Sequence, residues 1–80
     1  MKRPIHFGTF IRVLRKEQHL TQSFIAKNLD ISPAYYQQIE SGKVSPFPFE
    51  QGYYEPLSQL LSVKKKVLVR LAEKYRKNKF

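Results

Sequence analysis

Apolar residues recur every three or four positions along most of this chain, which is the period of an amphipathic α-helix. The first stretch predicts a helix over residues 9–17. Its inward face holds Phe10, Val13 and Leu14, with Ile11 beside them. A second helix is predicted over residues 22–29, because Thr21 can cap its first turn. Its inward residues are Ile25, Ala26 and Leu29.

A third helix is predicted over residues 33–41, where Tyr36, Ile39 and Glu40 share one side. Ser32 can cap it, and Pro33 suits the first helical position because its missing N–H has no intrahelical partner there. Gly42 can end it in the left-handed conformation. The join "NLDIS" between the second and third helices is short, which favours the sharp crossing of a helix-turn-helix over a long antiparallel hairpin.

The rest of the chain predicts a loop and two more helices. "SPFPF" is too rich in proline to be helical, and a fourth helix follows over 49–61. Its inward residues are Tyr53, Tyr54, Leu57, Leu60 and Leu61. Gly52 and Pro56 favour a kink or a late start near Glu55. Ser62 can cap a fifth helix over 63–77, whose apolar stripe is Val63, Val67, Leu68, Leu71 and Tyr75.

Five short helices in 80 residues predict one all-α domain over residues 1–80, since a chain of this length builds a single core. There is no cysteine, and His6 and His19 have no carboxylates at ligand spacing, so neither a metal nor a cofactor is expected. Apolar runs are too short for a membrane span, and the amino terminus lacks a signal core, which favours the cytoplasm. No catalytic constellation is present, which argues against an enzyme.

Charge is concentrated at the carboxy-terminal end. The net charge is +9, and residues 64–80 hold eight of the 15 basic residues and one of the six acidic ones. Such a segment favours a polyanionic partner. The alternative is a solvated, solubilising terminus.

The segment "LTQSFIAKNLDISPAYYQQIESGKVSP" resembles the helix-turn-helix of the lambda repressor/Cro (Xre-like) family. The matching positions are Leu20, Thr21, Gln22, Ile25, Ala26, Ile31, Ser32, Ile39, Glu40, Gly42 and Lys43. With the first helix and "PLSQLLSV", the resemblance covers about residues 7–63. It implies a five-helix, lambda-repressor-like DNA-binding domain, with the helix-turn-helix at about 21–41. The basic helix and tail at 63–80, inferred from periodicity and charge, lie outside the resemblance.

The resemblance also implies the roles of individual residues. The outward face of the third helix would read base edges, because the glutamine amide matches the adenine edge in the major groove. The expected base-contacting residues are Pro33, Ala34, Gln37 and Gln38. The expected phosphate-contacting residues are Gln22, Lys27, Tyr35, Ser41, Lys43 and Ser45. Arg15 and Glu40 would form an ion pair between the first and third helices. The alternatives are solvated glutamines and two unrelated surface charges.

Three positions depart from the family pattern. Asp30 stands where glycine is usual, at a cost of about 1 kcal/mol for the left-handed conformation. Tyr36 replaces a branched aliphatic residue, so either the core is repacked or the hydroxyl reaches the surface. Phe24 replaces a polar residue on the second helix, where it covers the extra residues "FPFEQGYY" or is exposed for a partner.

The resulting hypothesis is a sequence-specific DNA-binding transcriptional regulator, most simply a repressor, acting as a homodimer on double-stranded DNA. The candidate dimer residues are Tyr53, Tyr54, Leu57, Leu60, Leu61 and the fifth helix, although the leucines fit an intramolecular core equally well. Two alternatives stay open. One is an antitoxin-like partner of a toxin protein, and the other is a non-specific nucleic-acid binder that acts through its basic tail.

Overall fold

The computed structural model describes residues 6–48 and 52–77, and these residues form five α-helices and no strand. The helices are α1 (Phe7–Glu17), α2 (Gln22–Leu29), α3 (Pro33–Ser41), α4 (Tyr54–Leu61) and α5 (Lys65–Lys77). The predicted all-α class is therefore confirmed. No helix in the described part of the chain has the length and apolar character needed to cross a bilayer.

Helices α2 and α3 have the predicted bounds, whereas the other three begin elsewhere. α1 begins two residues early, because the Nδ1 atom of His6 accepts a hydrogen bond from the Gly8 N–H at 3.0 Å and caps the helix. α4 begins at Tyr54, close to the late start expected from Gly52 and Pro56. The start predicted at Phe49 lies outside the described residues.

The first four helices end in the same way. A residue in the left-handed conformation follows each helix, and the next N–H donates back into the last turn, which is the Schellman pattern. These residues are His19, Asp30, Gly42 and Ser62. Ser62 therefore closes α4, and its predicted role as the cap of α5 is wrong. α5 begins at Lys65 instead of Val63.

The core is centred on an aromatic residue in the loop between α3 and α4. Phe47 is fully buried, as the predicted loop passes beneath the helices. Its ring lies within 6.5 Å of five other rings, and the Tyr54 hydroxyl donates to its carbonyl oxygen at 2.7 Å. Those rings belong to Phe7, Tyr35, Tyr36, Tyr53 and Tyr54. The loop is thus a structural part of the core.

Two of the unusual aromatic residues have different environments. Tyr36 is fully buried, so the core is repacked there and its hydroxyl does not reach the surface. Within residues 6–48 and 52–77 that hydroxyl forms no well-aligned hydrogen bond. Burial raises its pKa, and the nearby Glu40 carboxylate raises it further. Phe24, in contrast, is 44% exposed, so it remains largely on the surface.

The inward face of α1 differs from the prediction. The helix buries Phe7, Gly8, Ile11 and Arg15. Val13 was expected inside but is 48% exposed. Arg15 takes one of the buried positions, so the inward face is centred on Ile11 and Arg15 instead of on Phe10 and Val13.

The residues proposed for a dimer interface are mostly internal. Tyr54, Leu57 and Leu61 are buried in the core of their own chain, so the prediction that they contact a second copy is wrong. Tyr53 and Leu60 are half-buried and pack against that core. They are the only two of the five α4-region candidates that keep substantial exposed surface.

α1 and α3 approach each other closely at Gly8. A β-carbon at this position would overlap the main-chain carbonyl oxygens of Ile39 and Glu40. Because these atoms belong to a helical backbone, they cannot move aside as a flexible side chain would. Glycine is therefore required for the packing of the first helix on the third.

We expect Gly8→Ala to destabilise the fold by about 1–3 kcal/mol, since overpacking a closed contact forces the backbone apart. Urea denaturation would measure the change. Thr9→Ala is the matched control, because Thr9 is the exposed neighbour on the same helix. Equal stability of the Gly8 and Thr9 variants would contradict the close helix contact.

Candidate nucleic-acid interface

The turn between α2 and α3 is fixed by local hydrogen bonds. Asp30 takes the left-handed conformation at φ 59°. Its N–H donates to the Lys27 carbonyl at 3.2 Å, and the Ile31 N–H donates to the Ala26 carbonyl at 3.0 Å. Ser32 then accepts from the Tyr35 N–H at 3.1 Å and caps α3. The chain is thus bent sharply without glycine, as the left-handed Asp allows.

The two sides of α3 differ in burial. Tyr36, Ile39 and Glu40 are buried as expected, and Ile25, Ala26 and Leu29 of α2 are buried with them. The opposite side is exposed over Pro33, Ala34, Gln37, Gln38 and Ser41. This exposed side contains amide groups but no charge, so it can recognise a partner through hydrogen bonds in both directions.

A shallow hollow runs along this exposed side. It is lined by Ala34, Gln37, Gln38, Ser41 and Lys43. Lys43 follows the helix and is exposed, so it supplies a positive charge at the edge of the uncharged hollow. Four of the predicted contact residues on α3 therefore share one surface with Lys43.

A buried ion pair holds this surface in place. Arg15 on α1 donates from Nε to Glu40 Oε2 at 2.7 Å and from Nη2 to Oε1 at 3.2 Å. Its third donor, Nη1, binds the Leu20 carbonyl at 2.8 Å. Arg15 and Glu40 are only 8% and 5% exposed. The structure thus contains the ion pair implied by the resemblance, as a bidentate contact inside the protein.

The carboxylate of Glu40 has one more donor. Gln22, the first residue of α2, donates from Nε2 to Glu40 Oε1 at 2.9 Å. Burial alone would raise the Glu40 pKa, but the hydrogen bonds from Arg15 and Gln22 outweigh it and hold that pKa below its usual value. A single carboxylate therefore links α1, α2 and α3.

The other residues predicted to contact phosphate differ in how exposed they are. Lys27 is exposed on α2. The Ser41 hydroxyl is exposed and donates to the Gln38 carbonyl at 3.2 Å. Tyr35 and Ser45 are half-buried, and the Tyr35 ring lies 6.0 Å from the Phe47 ring. One N–H of the Gln22 amide donates to Glu40, which leaves the second N–H, the amide oxygen and the main chain for an outside partner.

Sequence reasoning missed Arg12. This exposed α1 residue lines a second hollow beside α3, together with Gln22, Gln37, Glu40 and Ser41. Its charge is therefore adjacent to the amide surface although it is distant in sequence. Its position three residues before Arg15, on the polar side of an amphipathic helix, was visible, but nothing in the pattern showed which helix it would face.

Comparison with known proteins gives one finding. The family model described as "Helix-turn-helix" matches residues 11–46. The matched residues contain α2, the turn and α3, so this part of the chain is similar to the helix-turn-helix of the family. The family is one of DNA-binding regulators, and the predicted relationship to Xre and lambda repressor-like proteins is confirmed. No curated protein matches the chain at a significant level.

The match includes the elements that build the candidate interface. It runs from Ile11 in α1 to Pro46, just before the buried Phe47, and so includes both partners of the ion pair. The all-α fold is accordingly that of a lambda-repressor-like domain.

Glu40→Gln should make the stability of this helix-turn-helix less dependent on acid. The folded state lowers the Glu40 pKa, so the carboxylate stabilises the fold above its unfolded pKa and loses this effect as pH falls through the folded pKa. We expect a loss of about 3–5 kcal/mol at neutral pH, because the buried Arg15 guanidinium would lose its counter-charge. Below the ordinary glutamate value of 4.5, the difference from the unmodified protein should shrink.

Urea denaturation of both proteins at neutral pH and at pH values below the glutamate range would measure this difference. Glu17→Gln is the matched control, because Glu17 is an exposed acid on α1. A stability difference for Glu40→Gln that stays constant with pH would mean that the ionised carboxylate is not the stabilising species.

Proposed function

We propose that the protein is a sequence-specific DNA-binding transcriptional regulator that places α3 in the major groove. The observation that carries this proposal is the uncharged amide surface of α3, which projects from a helix held by the buried Arg15–Glu40 pair. A helix fixed in this way can present side chains to base edges with a defined register. The helix-turn-helix match supports the same conclusion.

Base recognition is assigned to the exposed side of α3. Gln37 and Gln38 each offer one amide donor and one acceptor, the pair that complements adenine N7 and N6 in the major groove. Pro33 and Ala34 lie at the amino-terminal end of the helix, and their small apolar surfaces suit contact with thymine methyl groups. Lack of charge here would limit indiscriminate attraction to phosphates and leave selection to hydrogen bonding.

Phosphate contacts are assigned to the residues around that surface. Lys43 and Arg12 border the two hollows, and Lys27 extends the basic edge along α2. The amino-terminal N–H groups of α2 and the hydroxyls of Ser41, Ser45 and Tyr35 would add neutral contacts. Such contacts fix the register of the protein on DNA without reading sequence.

The basic α5 would add general attraction to DNA. Lys64, Lys65, Lys66, Arg70 and Lys74 are all exposed. Arg76, Lys77 and Lys79 belong to the predicted basic tail, but their side chains lie outside the described residues. The long-range field of this helix raises encounter rates with a polyanion and has no sequence preference of its own.

We propose further that the protein represses as a homodimer. A twofold pair would place two α3 helices about 34 Å apart, one turn of DNA, and would read a palindromic site. With three of the predicted interface residues buried in the core, the half-buried Tyr53 and Leu60 and the fifth helix remain as candidates for the contact surface. Occupation of a promoter by such a dimer blocks transcription most simply by exclusion.

Selecting bound duplexes from a random pool would test the function directly. An enriched half-site repeated at one helical turn is the expected result. Salt-sensitive binding without enrichment would replace this proposal with non-specific nucleic-acid binding through α5.

On the selected duplex, Gln38→Ala should cost about 1–3 kcal/mol and relax the preference at one base position. The reason is that one bidentate contact to a base edge would be lost. Fluorescence anisotropy against duplexes substituted at each position would measure this, with Gln37→Ala as a second probe. Gln59→Ala is the control, since Gln59 is an exposed glutamine on α4. The same loss on every duplex would exclude base reading by Gln38.

Arg12→Ala should weaken binding to all sequences alike and lower the salt-dependence slope by about one, as expected for the loss of one phosphate contact. Lys43→Ala should behave in the same way if it neutralises its own phosphate. Binding titrations across a salt series, on the selected duplex and on an unrelated one, would measure both slopes. A slope that does not change would remove Arg12 from the interface.

A further inference from the structure

An apolar groove lies between α1 and α5, away from the amide surface of α3, and two of the α5 bases named above, Arg70 and Lys74, line it. It has a volume of about 360 Å³ and is lined by Phe10, Val67, Leu71, Arg70 and Lys74. Val67 is 38% exposed on this surface. Val13, which is 48% exposed, follows Phe10 at a spacing that places the two side by side on α1. Exposed apolar residues grouped in this way usually mark an interaction site.

The two helices that form the groove run in opposite directions. The rings of His6 and Tyr75 are 4.5 Å apart, which places the start of α1 beside the end of α5. Phe10 lies one turn beyond His6, and Leu71 lies one turn before Tyr75. A trough between two helices, with apolar residues along its walls, suits a third helix that inserts side chains spaced by one turn.

Charge identifies the kind of helix that fits. The side chains lining the groove include two bases, Arg70 and Lys74, and no acid among the described residues. A second copy of this chain would bring these same bases together, which opposes self-association through the groove. The terminal segments of the chain are also basic, with Lys2, Arg3 and Lys79. An acidic partner is the complementary one.

We propose that the α1–α5 groove binds an amphipathic helix of another protein, whose apolar stripe contacts Phe10, Val67 and Leu71 while flanking Asp or Glu residues pair with Arg70 and Lys74. Apolar burial would supply the affinity, and the charges would select the partner and its orientation.

This site can be occupied together with DNA. Phe10 and Arg12 are two residues apart on α1, so they point in directions about 160° apart around the helix axis. Arg12 lines the hollow beside α3, whereas Phe10 lines the groove beside α5. α1 therefore separates the groove from the proposed DNA surface. Only this joint occupancy depends on the proposed DNA binding; the groove itself does not.

Two synthetic helical peptides would test the proposal on the full chain. Both carry the same leucine stripe at i, i+3, i+4 and i+7, and one is flanked by Glu and the other by Lys. Amide ¹H–¹⁵N spectra would locate binding, and fluorescence anisotropy would measure affinity. The Glu-flanked peptide should bind and shift the resonances of Phe10, Val67 and Leu71, while the Lys-flanked peptide should not.

Three exposed positions on α5 supply the variants. Val67→Glu, which puts a carboxylate on the apolar wall, should weaken the Glu-flanked peptide by about tenfold or more. Lys74→Glu should weaken it by about fivefold and improve binding of the Lys-flanked peptide. Lys66→Glu makes the same charge change outside the groove lining and should alter affinity by less than about twofold.

Several results would overturn the proposal. These are equal binding of the two peptides, resonance shifts confined to other helices, or no binding at all. Concentration-dependent self-association abolished by Val67→Glu would identify the occupant as a second copy. If deletion of residues 1–5 shifted the amide resonances of the groove residues in the absence of peptide, the occupant would be the chain's own terminus. DNA binding of the unmodified protein, measured with and without the Glu-flanked peptide, separates failure here from failure of the proposed regulator function.

Discussion

The contact between Arg15 and Glu40 is the interaction on which the arrangement of the first three helices depends. Both charges are buried, and each is stabilised because the other is present with a full set of hydrogen bonds. Loss of one partner would leave the other charge inside the protein without compensation. The pair thus selects one relative position of α1 and α3, and the contact at Gly8 closes the same interface.

That constraint decides which side of α3 faces outward. Glu40 must point to Arg15, and Ile39 and Tyr36 follow it into the core because they lie on the same helical face. Gln37 and Gln38 are then directed to the surface. Gln22 extends the constraint to α2 through the same carboxylate, so the angle of the helix-turn-helix is fixed by side chains as well as by the Asp30 turn.

The sequence predicted helix bounds best where capping and turn residues alone determine them. The bounds of α2 and α3 follow from Thr21, Ser32, Pro33 and Gly42, whose roles depend only on neighbouring residues. Prediction from the sequence failed where contacts between residues distant in the chain determine burial. Phe47 looks like one aromatic in a proline-rich loop, and its burial depends on rings from three helices. Arg12 gained its place beside α3 only through the packing of α1, and the left-handed Ser62 has no sequence signal comparable to glycine.

The difference between the predicted and the observed inward face of α1 has a physical cause. An arginine that belongs to the core displaces the apolar residues that the pattern assigned there, so Val13 is left on the surface and Phe10 only partly covered. Burying Arg15 is favourable only with Glu40, so a requirement of the helix-turn-helix is what exposes an apolar strip on the far side of α1. The same rotation that directs Arg12 toward α3 therefore creates the groove beside α5, and one short helix connects the core pair, the amide surface and the apolar trough.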